Sequence, residues 1–253
     1  MIRWILAGFA GGLLSLTAIA TEFRIDNTVY GVKSTAFLLS GKFYSMIGDN
    51  GETVEFDAET RTFTLISPAL RLQTQIDADE IRKRVAQHRQ FLSSTPNAPP
   101  DTFSFFAFNP KFELEFDAAS GMLALQSNWI DYEIKTIPFA DPAAAMYHDF
   151  CDWVCYLNFR LNPRSSQMLT RLEVNRLLRE KQRFAVSVSE SVYASGKQGR
   201  AKPTLRASST HDLVRRLSDA DRKRIEQAQE FKRTFPQVPF VDYQKRFAEK
   251  LEK

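Results

Sequence analysis

The sequence predicts an α+β fold: a curved antiparallel β-sheet of two β-meander-plus-helix units, packed on helices, with an added C-terminal hairpin and further helices. Three observations carry this. Apolar and polar residues alternate over short stretches, as in Val54/Phe56, Phe63/Leu65 and Leu70/Leu72, which is the period of a strand with one buried face. The motif Glu55-Phe56-Asp57-Ala58 recurs as Glu115-Phe116-Asp117-Ala118, sixty positions later (115 − 55), and Leu65/Leu125 and Ser67/Ser127 match at that same offset. Each copy reads as three strands followed by a stretch with helical apolar spacing, giving units of about 43–95 and 111–161 within one domain, 21–253.

In chain order, Phe23, Ile25 and Val29 share one face of a first strand, and Ser34 to Leu39 makes a second. Phe43 to Ile47 leads into Asp49-Asn50-Gly51, a hairpin signal because Asn-Gly suits positive φ. Thr53 to Asp57, Thr62 to Ile66 and Leu70 to Ile76 complete the first meander. Asp77 and Glu80 have capping-box spacing, and Ile81, Val85, His88 and Leu92 form one helical stripe. Pro96, Pro99 and Pro100 mark the loop between the units. Phe103, Phe105, Phe106 and Phe108 read either as a short helix plugging the core or as the rim of a ligand groove.

The second meander spans Phe112 to Asp117, Met122 to Gln126 and Asp131 to Pro138. Asp141-Pro142 opens the most apolar helix, with Met146, Phe150, Trp153, Val154, Leu157 and Leu161 at helical spacing. An apolar girth this wide places it centrally against the sheet, with Trp153 as a core residue. Ser165 to Gln182 makes a further helix, read with an outer basic face of Arg164, Arg171, Arg176, Arg179 and Lys181. Phe184 to Val188 and Thr204 to Asp212 form a long hairpin with Lys197, Arg200 and Lys202 at its tip. Ser218 with Asp221 starts the next helix, and Tyr243, Phe247 and Leu251 share one side of the last.

Met1 to Ala20 has the form of an export signal: Arg3, an apolar run from Ile5 to Leu16, and Ala18-Ile19-Ala20 as a cleavage site. This places the mature chain in the periplasm or outside the cell, with no transmembrane span after signal removal. The net charge of +4 conceals an asymmetry: 21–140 carries 11 Lys/Arg against 16 Asp/Glu, whereas 141–253 carries 22 against 14. For an exported chain the basic half points to anionic lipid or an envelope protein rather than nucleic acid, with Arg164, Arg171, Arg176, Arg179, Lys197, Arg200 and Lys202 as the candidate anionic-surface residues.

Cys151 and Cys155 sit one helical turn apart, too far for a relaxed disulfide, so both read as buried free thiols. His148 and Asp152 share that helix and read as an ion pair rather than half of a metal centre. His88 reads as a core histidine. His211 and Asp212, adjacent on a strand, point to opposite faces and do not cooperate with Ser208 or Ser209 as a triad. Nucleophile elbows, phosphate loops and paired CxxC motifs are absent, and no cofactor is expected.

Phe23-Arg24-Ile25-Asp26 and the stretch Asp49 to Asp57 resemble exported bacterial proteins of undefined role. The layout from Phe43 to Leu92 is similar to periplasmic lipoprotein carriers of the LolA/LolB type. That resemblance implies an incomplete antiparallel barrel curved round helices, with an apolar cavity for acyl chains. The chain departs from the carriers in its basic helix, long hairpin and terminal helix pair. The expectation is therefore a non-catalytic envelope protein binding an amphiphile or partner in a sheet–helix groove; the alternative is a hydrolase acting near His148. An apolar cavity favours binding, a packed interior favours a scaffold, and a polar cleft exposing His148 favours catalysis.

Overall fold

The structure is a computed structural model describing residues 22–29, 31–48, 51–94, 102–140, 143–162, 166–193, 195–197 and 202–251. The expected export signal, Asp49-Asn50, Pro96, Pro99, Pro100, Asp141-Pro142, Arg164 and Arg200 lie outside the described residues.

Among the described residues eleven antiparallel strands form one open sheet. The first six run β1 (Phe23–Val29), β2 (Val32–Leu39), β3 (Lys42–Ile47), β4 (Thr53–Asp57), β5 (Thr62–Ser67) and β6 (Leu72–Asp77). Helices α1 (Ala78–Ser94) and α2 (Phe103–Phe108) carry the chain to the opposite edge. There β7 (Glu113–Asp117), β8 (Met122–Gln126) and β9 (Ile130–Pro138) follow, then α3 (Ala144–Leu161), a 3₁₀ turn at Ser166–Thr170 and α4 (Arg171–Glu180). The hairpin β10 (Arg183–Val192) and β11 (Leu205–Val214) precedes α5 (Asp219–Thr234) and α6 (Phe240–Leu251).

The spatial order is β6-β5-β4-β3-β2-β1-β11-β10-β9-β8-β7. The β10–β11 hairpin, expected as an addition, occupies the middle of the sheet and joins β9 to β1. The two meanders therefore lie at opposite edges. Their first hairpins share a register: Phe56 faces Phe63 in one and Phe116 faces Leu123 in the other, both displaced by sixty. The second hairpins differ by two residues, since Leu65 faces Thr74 whereas Leu125 faces Tyr132. The shared turn has a common chemistry. Asp57 Oδ1 accepts from the Glu59 amide at 3.0 Å, and Asp117 Oδ1 accepts from the Ala119 amide at 2.9 Å. The left-handed position is Arg61 (φ 51°) in one copy and Gly121 (φ 72°) in the other. Gly121 is required, because a Cβ there would lie 2.5 Å from the Thr136 carbonyl oxygen.

Helix α3 lies on the inner face. Phe150 stacks on Phe43 of β3 with centroids 4.2 Å apart, while Tyr147 packs on Phe184 of β10 at 5.2 Å. β3 and β10 are four strand spacings apart, about 19 Å along a flat sheet, and a helix is only about 10–12 Å across. One short stretch of α3 reaches both because the sheet curls round it. Trp153 is half-buried, against the expectation of a core position: it sits at the rim against Phe56 and under the Arg82 guanidinium.

The expectation of one polar face fails for β2 to β5. Phe37, Tyr44 and Met46 point outward, and Leu217, just ahead of α5, covers them together with Ile225 and Ala228 of α5. The Ser218–Asp221 capping box starts α5, and Asp221 also pairs with Arg24 at 3.2 Å. The buried Glu55 carboxylate, on that outer face, accepts from Lys232 of α5 at 2.9 Å. The chain then crosses the β6 edge, where the Gln73 amide donates to the Pro236 carbonyl and the Val238 amide to the Gln73 carbonyl. This covers an edge that would otherwise offer unpaired backbone. Beyond the crossing, Tyr243 of α6 joins the inner core.

Candidate functional site

Between the curled sheet and helices α3 and α4 lies a cavity of about 440 Å³. Its floor comes from the inward residues of β1, β2, β3, β10 and β11, and its roof from Tyr147 to Asn158 and Gln167 to Leu178. The wall is mainly apolar: Ile25, Ala36, Phe150, Val154, Leu178 and Val188 all face it. Val29 and Ile47 line it while remaining 38% and 48% exposed, which marks its mouth. The cavity exists because the centre of the sheet carries small inward side chains. Ser34, Ser45, Ala185, Ala207 and Ser209 stand where the flanking strands place Phe and Leu.

Polar side chains stand among these, Asn27, Ser209 and His211 on the floor and His148, Arg171 and Asn175 on the roof. Ser209 Oγ meets His211 Nε2 at 2.9 Å, and His211 Nδ1 meets Asn27 Oδ1 at 2.7 Å. Ser209 and His211 are two apart on β11 and share a face; Asn27 is the residue directly opposite His211 on β1. Burial, and then the charge of Arg171, lower the His211 pKa to about 4. Asp212 points to the other face, as the strand period requires.

His148 is 2% exposed, and its Nε2 has no hydrogen-bond partner. Burial, then the Arg179 charge, lower its pKa to about 4, so it is a neutral imidazole. The expected His148–Asp152 ion pair does not form. Asp152 instead accepts from Arg179 at 2.7 Å and from Asn175 Nδ2 at 2.9 Å. Cys151 and Cys155 are free, and burial pushes their thiols up to about 11 and about 12. Among the described residues no cluster of His, Cys, Asp or Glu could hold a metal ion.

Arg171 is the main departure from the expected basic surface. It lines the cavity instead of facing outward, with its guanidinium 5.5 Å from the Tyr132 ring. The signal was present in the spacing. Arg171, Val174, Asn175 and Leu178 follow i, i+3, i+4, i+7, the stripe that α4 buries. Three of the other described basic candidates are held in ion pairs. Arg176 pairs with Glu173 and Glu180, Arg179 with Asp149 and Asp152, and Lys197 with Asp131 at 2.6 Å. Lys202 is exposed.

The aromatic candidates lie away from the cavity. Phe103 and Phe106 pack with the second-meander core, Phe108 lies under His88, and Phe105 is half-buried. None of the four lines the cavity. His88 itself is exposed and rests on Phe108 at 4.6 Å, not within the core. No helix among the described residues is long and apolar enough to cross a membrane. No protein-family model and no curated protein matches this sequence.

Proposed function

We propose that the protein is an exported, non-catalytic carrier or sensor that binds an amphiphile in the cavity under α3 and α4. The observation that carries this is the cavity itself: about 440 Å³, mainly apolar, opening past Val29 and Ile47, and floored by small residues at the centre of the sheet. Ligand sites are commonly about 300–1,000 Å³, apolar, with a few placed polar groups. A scaffold with no ligand would fill this space, because empty apolar volume costs stability. An antiparallel sheet curled round helices over an apolar cavity is also what the resemblance to LolA/LolB-type carriers implies.

Native mass spectrometry of the mature protein purified from the cell envelope tests this, expecting retained lipid of one class. Ala207→Trp, which fills the cavity from β11, should abolish retention while the fold persists. A ligand-free spectrum, together with no displacement of a fluorescent acyl probe by any chain length, removes the reading.

A hydrolase is the second reading, favoured by one observation. With His211 protonated on Nδ1, Ser209 donates to Nε2 and Nδ1–H donates to Asn27, the hydrogen-bond order of a nucleophile–base–orienter set. Two features weigh against it. A base with a pKa near 4 removes a serine proton weakly at neutral pH. Ser209 also lies mid-strand, paired with Val29 on one side and Val188 on the other, so its backbone amide belongs to the sheet and not to an oxyanion hole. Labelling of Ser209 by a fluorophosphonate, lost in His211→Gln, would establish the hydrolase; absence of labelling removes it.

A further inference from the structure

Among the described residues the cavity wall holds one permanent cation and one carboxyl, Arg171 and Glu190. The arginines later in α4 each take carboxylates, Arg176 from Glu173 and Glu180, Arg179 from Asp149 and Asp152. Arg171 takes none. Its Nη1 is buried and has no hydrogen-bond partner, and among the described residues no carboxylate lies within 4.0 Å of it. Glu190, the acid that shares the wall, accepts from the Tyr132 hydroxyl at 3.3 Å instead.

The guanidinium is nevertheless held in place. Its Cζ lies over the Tyr132 ring, and the Tyr132 hydroxyl is tied to Thr170 Oγ1, on the residue preceding Arg171, at 2.7 Å. Thr170 is in turn anchored to the Gln167 carbonyl at 2.6 Å. A buried charged donor with no acceptor is among the costlier features a fold carries, and such features persist where a ligand supplies the missing group. Burial, and then the Arg171 charge, lower His211, and burial raises the Glu190 carboxyl against the pull of Arg171 and Tyr132.

We propose that the ligand is a single-chain amphiphile with a carboxylate head, a long-chain fatty acid in chemical class, whose carboxylate accepts from the Arg171 guanidinium at the cavity wall while the chain fills the apolar remainder of the cavity. This rests on the amphiphile-binding reading and names its headgroup. One fixed cation matches one negative charge.

The test compares palmitate, hexadecanol and hexadecyl phosphate by displacement of a fluorescent acyl probe from the delipidated full chain. The wild type should bind palmitate at least about tenfold tighter than hexadecanol, the order of one charge-assisted hydrogen bond. Arg171→Met should erase that preference by weakening palmitate, while hexadecanol still binds. Glu190→Gln, which keeps an acceptor for Tyr132 and removes the competing charge, should tighten palmitate binding. Should Arg171→Met fail to fold, the acid–alcohol comparison in the wild type and the Glu190→Gln shift decide. Equal affinity for acid and alcohol overturns the carboxylate assignment and leaves amphiphile binding standing; preference for the phosphate also overturns it. Binding of none of the three removes both.

Discussion

Phe150 of α3 lies flat on Phe43 of β3, their ring centroids 4.2 Å apart and their planes within 1°. This stack fixes α3 over one side of the cavity, and Tyr147 against Phe184 fixes it over the other. Phe150→Ala should therefore cost about 3–5 kcal/mol. Trp153→Ala, at the half-buried rim, should cost about 1–3 kcal/mol. Urea unfolding of both variants checks this order; a larger loss for Trp153 would show that the helix is anchored through its rim instead.

The buried His148 makes stability acid-sensitive. Its folded pKa is depressed to about 4, below the ordinary 6.5, so its contribution is full above pH 6.5 and is lost as pH falls toward 4. The difference, 6.5 − 4, corresponds to roughly 3 kcal/mol at about 1.36 kcal/mol per pKa unit. His211 acts with the same sign. Glu52 and Glu190, whose carboxyls burial raises, act with the opposite sign, so the comparison must be between wild type and variant. Denaturant midpoints from pH 7 to pH 4 should fall less steeply for His148→Gln than for wild type. Parallel curves would show that His148 titrates alike in both states.

Cys151 and Cys155 should resist modification. With thiols near 11 and 12, almost no thiolate exists at pH 8, and the thiolate is the reactive form. A thiol-disulfide reagent should label neither residue in the native protein over minutes and both at once in guanidinium. Rapid native labelling of one thiol would mean that the cavity admits the reagent to Cys151.

Gln73 should be worth more than its place on an edge strand implies. Its Nε2 donates to the Lys232 carbonyl at 2.6 Å and to the Phe235 carbonyl at 2.8 Å, while its backbone pairs with Pro236 and Val238. Gln73→Ala leaves two carbonyls short of a donor at the α5–α6 crossing, costing about 1–3 kcal/mol. Hydrogen exchange at the Val238 amide should accelerate in the variant; unchanged protection would show that backbone pairing alone holds the crossing.

Most of the strands and helix starts were legible from local patterns. Alternation marked β4, β5 and β6, Asp77 and Ser218 marked helix starts, and the sixty-residue offset found the hairpins whose registers match. Those features depend on neighbours a few residues away, through hydrogen bonds and side-chain periods that the chain carries wherever it goes. The cavity does not. Its polar floor joins Asn27 to His211 across the β1–β11 pairing, 184 residues apart in sequence, and no local pattern states which strands become neighbours. Arg171 shows the boundary between the two. Its spacing with Val174 and Leu178 already placed it on the buried stripe, yet its charge grouped it with Arg176 and Arg179. By itself the sequence determined which segments become strands and helices and which faces are apolar. The tertiary structure alone decided that small residues meet at the centre of the curled sheet, leaving a space that α3 and α4 roof over and a cation at its wall that no described carboxylate pairs with, because both depend on the sum of side-chain volumes and charges brought together by distant pairings.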